Sequence, residues 1–319
     1  MKINIQKDFS DKSFKEGFKD FIRYCKVRNL SSSTLRYYNT TVDKFTEFFN
    51  EDNPINIITE GTIHDYILYL REESNCNNIS INTHLRGIRA ILYYFMNLNY
   101  MKKFKIKMLK AEKKIKETYS DRELEILLKK PNLKKCKFNE YRNWVLINYL
   151  LATGNRANTI VNLKIKDLDF EGGYIHLTTT KNRRQQIIPM SKKLSRILIE
   201  YLQYRGSELD NYLFPNAYNK QLTVNGLGQA IRKYNLKRGV PKTSLHLFRH
   251  TFAKKWILAG GDIFRLQKIL GHSTLDVVKE YVNMFAEDLV DDFDKLNTLD
   301  QITSSGKDDY ITLNKGGRR

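Results

Sequence analysis

The sequence predicts a mainly α protein with one small β-sheet, divided into two domains. Three observations lead there. Apolar residues recur at three- to four-residue spacing through the first hundred positions, the period of a helix buried on one face. A lysine-rich run then interrupts the pattern. Beyond it the helical period returns, breaks over residues 167–190 into three short stretches bounded by turn residues, and resumes. A length of 319 residues suits two domains of roughly 100–200 residues each.

The first domain is expected over residues 10–100 as a four-helix bundle. Phe14, Phe18, Phe21, Ile22 and Cys25 form one stripe; Leu35, Tyr38, Val42, Phe45 and Phe49 form a second, after the hydroxyl cluster Ser31–Ser33, a natural N-cap. Ile63, Tyr66, Ile67 and Leu70 follow Thr59, and Leu85, Ile88, Leu92, Phe95 and Leu98 follow Ser80. Four helices joined by short polar loops make a small bundle. Residues 101–117 hold eight lysines against Glu112 and Glu117, with no regular apolar face, which reads as a basic linker.

The second domain is expected over residues 118–297. It opens with a capping box, Ser120 and Glu123, ahead of Leu124, Leu127 and Leu128. A helix runs from about Glu140 to Thr153 and stops at Gly154. Leu168 to Phe170, Tyr174–Thr179 and Gln186–Met190 read as three antiparallel strands, and helices resume at Ser191, Thr223, Ser244, Asp262 and Thr274. Residues 298–319 read as a weakly ordered tail.

Charge narrows the partner. Lysine and arginine exceed aspartate and glutamate by 20, an excess that points to a polyanion, with nucleic acid favoured over an anionic membrane because no basic amphipathic anchor stands out. The longest apolar stretches, such as Trp144–Ala152, are too short to span a bilayer. The N-terminus has no apolar signal region, and Cys25, Cys76 and Cys136 have no metal spacing, which fits a reducing cytoplasm.

Phosphodiester chemistry needs the non-bridging oxygens neutralised and a nucleophile and leaving-group acid held in line. His246-Leu-Phe-Arg249-His250 places His246 and Arg249 on one face near a helix start. Arg156 lies just past Gly154, Lys181 falls at a hairpin tip beside Arg183 and Arg184, and Gly271-His272 precedes Tyr281. Taken singly these are weak; the ordered set carries weight. Asp167, Asp169 and the acidic run 288–294 raise metal-dependent chemistry as a rival, although aspartate at a turn is ordinary.

At this point the chain resembles the tyrosine recombinase (phage integrase) family, from about Ser13 to Asn297. The resemblance rests on SLHLFRHTFAKKWILAGGDIFRLQKILGHSTLDVVKEYV, on LLATGNRANTIVNLKIKDLDF and on TTTKNRRQQIIPM, similar to the family's HxLRHTFA…LGHS…Y, TGxRxxE and TKxxKxRxVP patterns. It implies a SAM-like core-binding domain followed by an α+β catalytic domain. It implies Tyr281 as nucleophile, Arg156 and Arg249 on the phosphate, Lys181 as acid for the 5′-oxygen, His246 as general base and acid, and His272 as a phosphate donor. Lys102, Lys103, Lys105, Lys107, Arg183 and Arg184 would contact DNA. No cofactor and no metal are implied. The partners would be double-stranded recombination sites, held by a homotetramer on two duplexes, with the segment Phe285 to Leu296 docking on the neighbouring protomer. Thr159 stands where many members have an acid, so the bracing of Arg156 is open. A bundle beginning within fifteen residues of Met1 favours an Xer-like or transposon-borne enzyme over an arm-site integrase. A DNA-binding factor without catalysis is the alternative, opposed by the complete set of reactive residues.

Overall fold

The computed structural model describes residues 12–111, 117–178, 185–271 and 274. The chain forms two compact units, Met1–Lys114 and Ile115–Arg319. In the first, the helices are α1 (Phe14–Val27), α2 (Ser32–Thr46), α3 (Glu60–Glu72) and α4 (Asn78–Asn97). Ser13, Ser31 and Thr59 cap the first three, each hydroxyl accepting a backbone N–H three residues on. The fourth starts earlier than the apolar pattern indicates. Asn77 Oδ1 accepts from Ser80 N at 2.9 Å, and asparagine caps as well as serine does. The expected stripes meet in one core, where Phe14 lies 5.2 Å from Phe45 and edge-on to Phe95 at 5.8 Å between ring centres.

The second unit comprises α5 (Asp121–Leu128), α6 (Phe138–Thr153), α7 (Ala157–Val161), β1 (Leu168–Asp169), β2 (Tyr174–Leu177), β3 (Gln186–Pro189), α8 (Lys192–Arg205), α9 (Val224–Lys237), α10 (Leu245–Leu258) and α11 (Ile263–Leu270). Helix α6 is its axis. Val145, Leu146, Ile147, Tyr149 and Leu150 are fully buried, and α5, α8, α9 and α10 pack around it. A helix buried on every side, Arg142 and Asn143 included, is a core element. The sheet is antiparallel in the order β1-β2-β3, with Leu168 opposite Ile175, Ile175 opposite Ile188 and Leu177 opposite Gln186. Helix α11 joins through a smaller apolar cluster, Ala253, Leu266 and Leu270, with Phe252 and Trp256 against it. Among the described residues no helix is long and apolar enough to cross a membrane.

Candidate active site

Three chain segments converge on the carboxyl end of α11. Ser244 caps α10, which places His246 in the exposed first turn and Arg249 three residues on, buried to 4% exposure. Arg249 Nη1 donates to Gly154 O and Nη2 to Leu270 O, each at 2.8 Å. Arg156, the residue that opens α7, donates from Nη1 to the same Leu270 carbonyl at 3.2 Å and reaches Gly271 O at 3.5 Å. The last carbonyls of a helix have no partner within it and carry its partial negative charge. Here two guanidinium groups use them. Hydrogen bonds to charged groups contribute about 1.5–3 kcal/mol each, enough to offset much of the cost of burying Arg249. Arginine suits this duty because its five donors are fixed in one plane, so bonds on one edge orient the whole group.

The meeting point depends on Gly154. Its φ of 61° is left-handed, which ends α6, and a Cβ there would stand 2.6 Å from the Phe252 ring and 2.9 Å from Leu270 Cδ2. No side chain fits, so α6 closes directly onto α10 and α11. Asn155 turns inward: its Nδ2 donates to Tyr149 Oη at 2.8 Å. Burial pushes the Tyr149 phenol well above its ordinary pKa, so this acceptor stays neutral. Thr159 is buried and its backbone N donates to Arg156 O at 2.9 Å. The carbonyls of Leu270 and Gly271 are among the groups that hold Arg156, a bracing that residue types alone do not disclose.

A fourth tie comes from the sheet. Gln186, the first residue of β3, sends its Nε2 across to Lys268 O at 2.5 Å and Ile269 O at 2.8 Å. Gly271 follows with φ 63°, and a Cβ on it would lie 2.7 Å from Gln186 Oε1. Neither Gln186 nor the carbonyl of Leu270 stands out in the sequence: one is an uncharged residue at a strand start, the other is backbone.

Of the residues the sequence singles out, the structure brings Arg156 and Arg249 together, with His246 one turn before Arg249. His250, also on α10, stacks on His246 with ring centres 6.4 Å apart. Lys181, Arg183, Arg184, His272, Tyr281 and the segment Phe285 to Leu296 lie outside the described residues. Lys102, Lys103, Lys105 and Lys107 are exposed, and the backbone that carries them departs from the simple linker expectation. Met101 and Ile106 are buried in the first unit's core, and Phe104, Met108 and Leu109 pack against it. Asn82 holds Leu109 from both sides, donating to its O and accepting from its N at 2.8 Å, while Ile106 N donates to Tyr93 Oη at 3.3 Å. Residues 101–111 are thus a strap with its lysines outward. Its apolar residues show no helical period because it forms no helix.

Of the rival carboxylates, Asp167 and Asp169 are turn caps, and the run 288–294 lies outside the described residues. Asp167 Oδ2 accepts from Lys164 N at 2.8 Å, and Asp169 Oδ1 accepts from Gly172 N at 2.7 Å. Among the described residues no group of three His, Cys, Asp or Glu is arranged to hold a metal ion.

Comparison with known proteins adds an independent line. The model of the phage integrase family matches residues 101–288, and that of the phage integrase N-terminal SAM-like domain matches residues 18–101. The tyrosine recombinase XerC of Leptospira interrogans is 27% identical over 288 residues, covering 88% of this chain and 92% of that protein. The tyrosine recombinase XerD of Staphylococcus haemolyticus is 26% identical over 277 residues, covering 83% and 92%. Among solved structures, the Tn1549 transposon integrase in complex with circular intermediate DNA superposes with a TM-score of 0.69 at 21% identity, over 84% of this chain and 94% of that one. A lambda integrase dimer bound to a COC′ core site superposes with a TM-score of 0.67 at 14% identity, over 83% and 97%. At these identities the two superpositions speak for the fold.

Proposed function

The chain belongs to the phage integrase family, and from that premise we propose that it is a site-specific DNA recombinase whose nucleophile is Tyr281. It cuts and rejoins duplex DNA through a 3′-phosphotyrosyl intermediate. The observation that carries the site assignment is the pairing of Arg156 and Arg249 on one helix-end carbonyl. Two cations held that way form a rigid seat for the non-bridging oxygens of a phosphate, and preorganised charge needs no rearrangement as the pentavalent state forms.

The steps follow from the residue types. The Tyr281 oxygen attacks phosphorus and its proton passes to His246; the P–O5′ bond breaks, and Lys181 protonates the departing oxygen. Guanidinium holds its protons too firmly for that task, which favours Lys181 over Arg183 and Arg184. His272 donates to the phosphate. A 5′-hydroxyl from the second duplex then reverses the chemistry at the new junction, so phosphodiester energy is conserved through a Holliday junction. The helical domain expected over residues 10–100 would grip the DNA together with the catalytic residues 118–297. Integration or excision of a mobile element and Xer-like dimer resolution use the same chemistry. Such work on a bacterial chromosome takes place in the cytoplasm, at the nucleoid.

Strand exchange calls for four protomers on two duplexes. We assign the contact between neighbours to the segment from Phe285 to Leu296, whose apolar residues Phe285, Leu289, Phe293 and Leu296 keep a helical spacing. An open groove of about 570 Å³ lined by Leu124, Leu128, Phe252 and Trp256 offers an apolar seat of the right kind. Its rim bears Asp121, Glu125 and Lys255, so apolar burial rather than charge would supply the affinity of this acidic segment.

The direct test is Tyr281→Phe, which removes one oxygen and leaves phosphate contacts in place. The variant is expected to bind DNA normally and to form no SDS-resistant adduct on a nicked suicide duplex. An adduct from this variant would remove Tyr281 from the mechanism.

A further inference from the structure

We propose that Gln186 is a positioning residue for DNA cleavage: it fixes the carboxyl end of α11, so that the Leu270 carbonyl holds Arg156 and Arg249 in place against the scissile phosphate. The inference rests on the reading that these two arginines bind that phosphate.

Consecutive carbonyls at the end of α11 divide the work. Lys268 O and Ile269 O accept from the Gln186 amide, and Leu270 O accepts from both arginines. The donors come from β3, from α10 and from the residue that opens α7, so three elements are tied to one helix end. Apolar packing gives α11 a small anchorage. The helix has only eight residues, and its buried contacts form a small cluster separate from the main core of the unit. In a short helix with a small apolar anchorage, polar ties at the end help to set where that end rests. The Gln186 tie lies immediately beside the carbonyl that seats the arginines rather than on the body of the helix.

Glutamine is well matched to the place. One amide nitrogen supplies two N–H donors to two successive carbonyls, without adding a charge next to the arginines. Gly271 completes the fit, because a Cβ there would stand 2.7 Å from the Gln186 amide oxygen and push the amide from its place. An isosteric glutamate would face two carbonyl oxygens with a third acceptor and place negative charge at the negative end of a helix, both unfavourable. A shift of about 1 Å in a group that stabilises a transition state can cost on the order of 100-fold in rate.

The experiment compares two substrates with the full chain. A nicked duplex is first selected from random sequence for binding to the protein. It is then prepared with either an ordinary scissile phosphodiester or a methylphosphonate, in which a neutral methyl replaces one charged non-bridging oxygen. Where an arginine's task is to neutralise that oxygen, its loss matters far less on the methylphosphonate. Cleavage rates of Arg249→Ala, Gln186→Ala and Gln186→Glu are each set against the unaltered protein on the same substrate. On the phosphodiester, Gln186→Ala is expected to lose on the order of 10- to 100-fold. Most of that loss should vanish on the methylphosphonate, in parallel with Arg249→Ala. A purely structural role for Gln186 lowers both rates by the same factor, and that result, or no loss at all, overturns the inference while Arg249→Ala is still relieved. If Arg249→Ala itself shows no relief, the arginine–phosphate reading fails and the inference falls with it. Should Gln186→Glu not fold, Gln186→Ala decides alone.

Discussion

Gly154 illustrates how much a single position can carry. Its left-handed backbone ends α6, its missing side chain admits Phe252 and Leu270, and its carbonyl anchors Arg249. Alanine there meets two penalties: about 1–2 kcal/mol for the left-handed conformation and about 1–3 kcal/mol for forcing a methyl group into a filled space. Gly173 is the natural control, since it shares the positive φ but has nothing within 4 Å of the Cβ position. Thermal denaturation should therefore show Gly154→Ala melting well below Gly173→Ala. Equal melting temperatures would mean that the packing around Gly154 yields freely. The sequence marks Gly154 as a helix stop and nothing more. The second and third duties involve Phe252, Leu270 and Arg249, roughly a hundred residues away in the chain, and no local pattern encodes them.

At the scale of elements, helices were the most legible features and the strap the least. Ser31, Thr59, Ser120, Ser191, Thr223, Ser244 and Asp262 all cap helices where the sequence signals them, because capping is settled within four residues. The strap at 101–111 is held instead by Asn82 and Tyr93 of α4, so its order is a tertiary property. The packed backbone sets the strap's lysines outward, and we propose that the row follows a phosphate backbone. Replacing Lys102, Lys103, Lys105 and Lys107 by Gln should weaken binding to all duplexes alike, because lysine–phosphate pairing carries no base information. A plot of log affinity against log salt should flatten by roughly 0.9 for each phosphate that a lysine no longer neutralises. A slope that stays the same would mean the row faces solvent.

For the whole molecule, recombination requires protomers to recognise one another on DNA, and that duty is assigned to the segment after Tyr281. A protein ending at Met284 is expected to fold, bind a single half-site and form the covalent adduct, yet fail to assemble a synaptic tetramer as measured by native gel and cross-linking. Strand exchange at the normal rate would refute the docking role, and loss of folding would show that the segment packs in its own protomer. The sequence by itself determined the two-unit helical plan, the small antiparallel sheet and the family, because helical period, capping and ordered motifs are written over short spans. It also named Arg156, Arg249 and His246 by chemical type. Only the tertiary structure decided how the arginines are held: on the backbone carbonyls of Leu270 and Gly154, with Gln186 tied to the same helix end. A backbone carbonyl is the same group in every residue, so its role is invisible until the fold leaves it without a helical partner and brings a donor within about 3 Å.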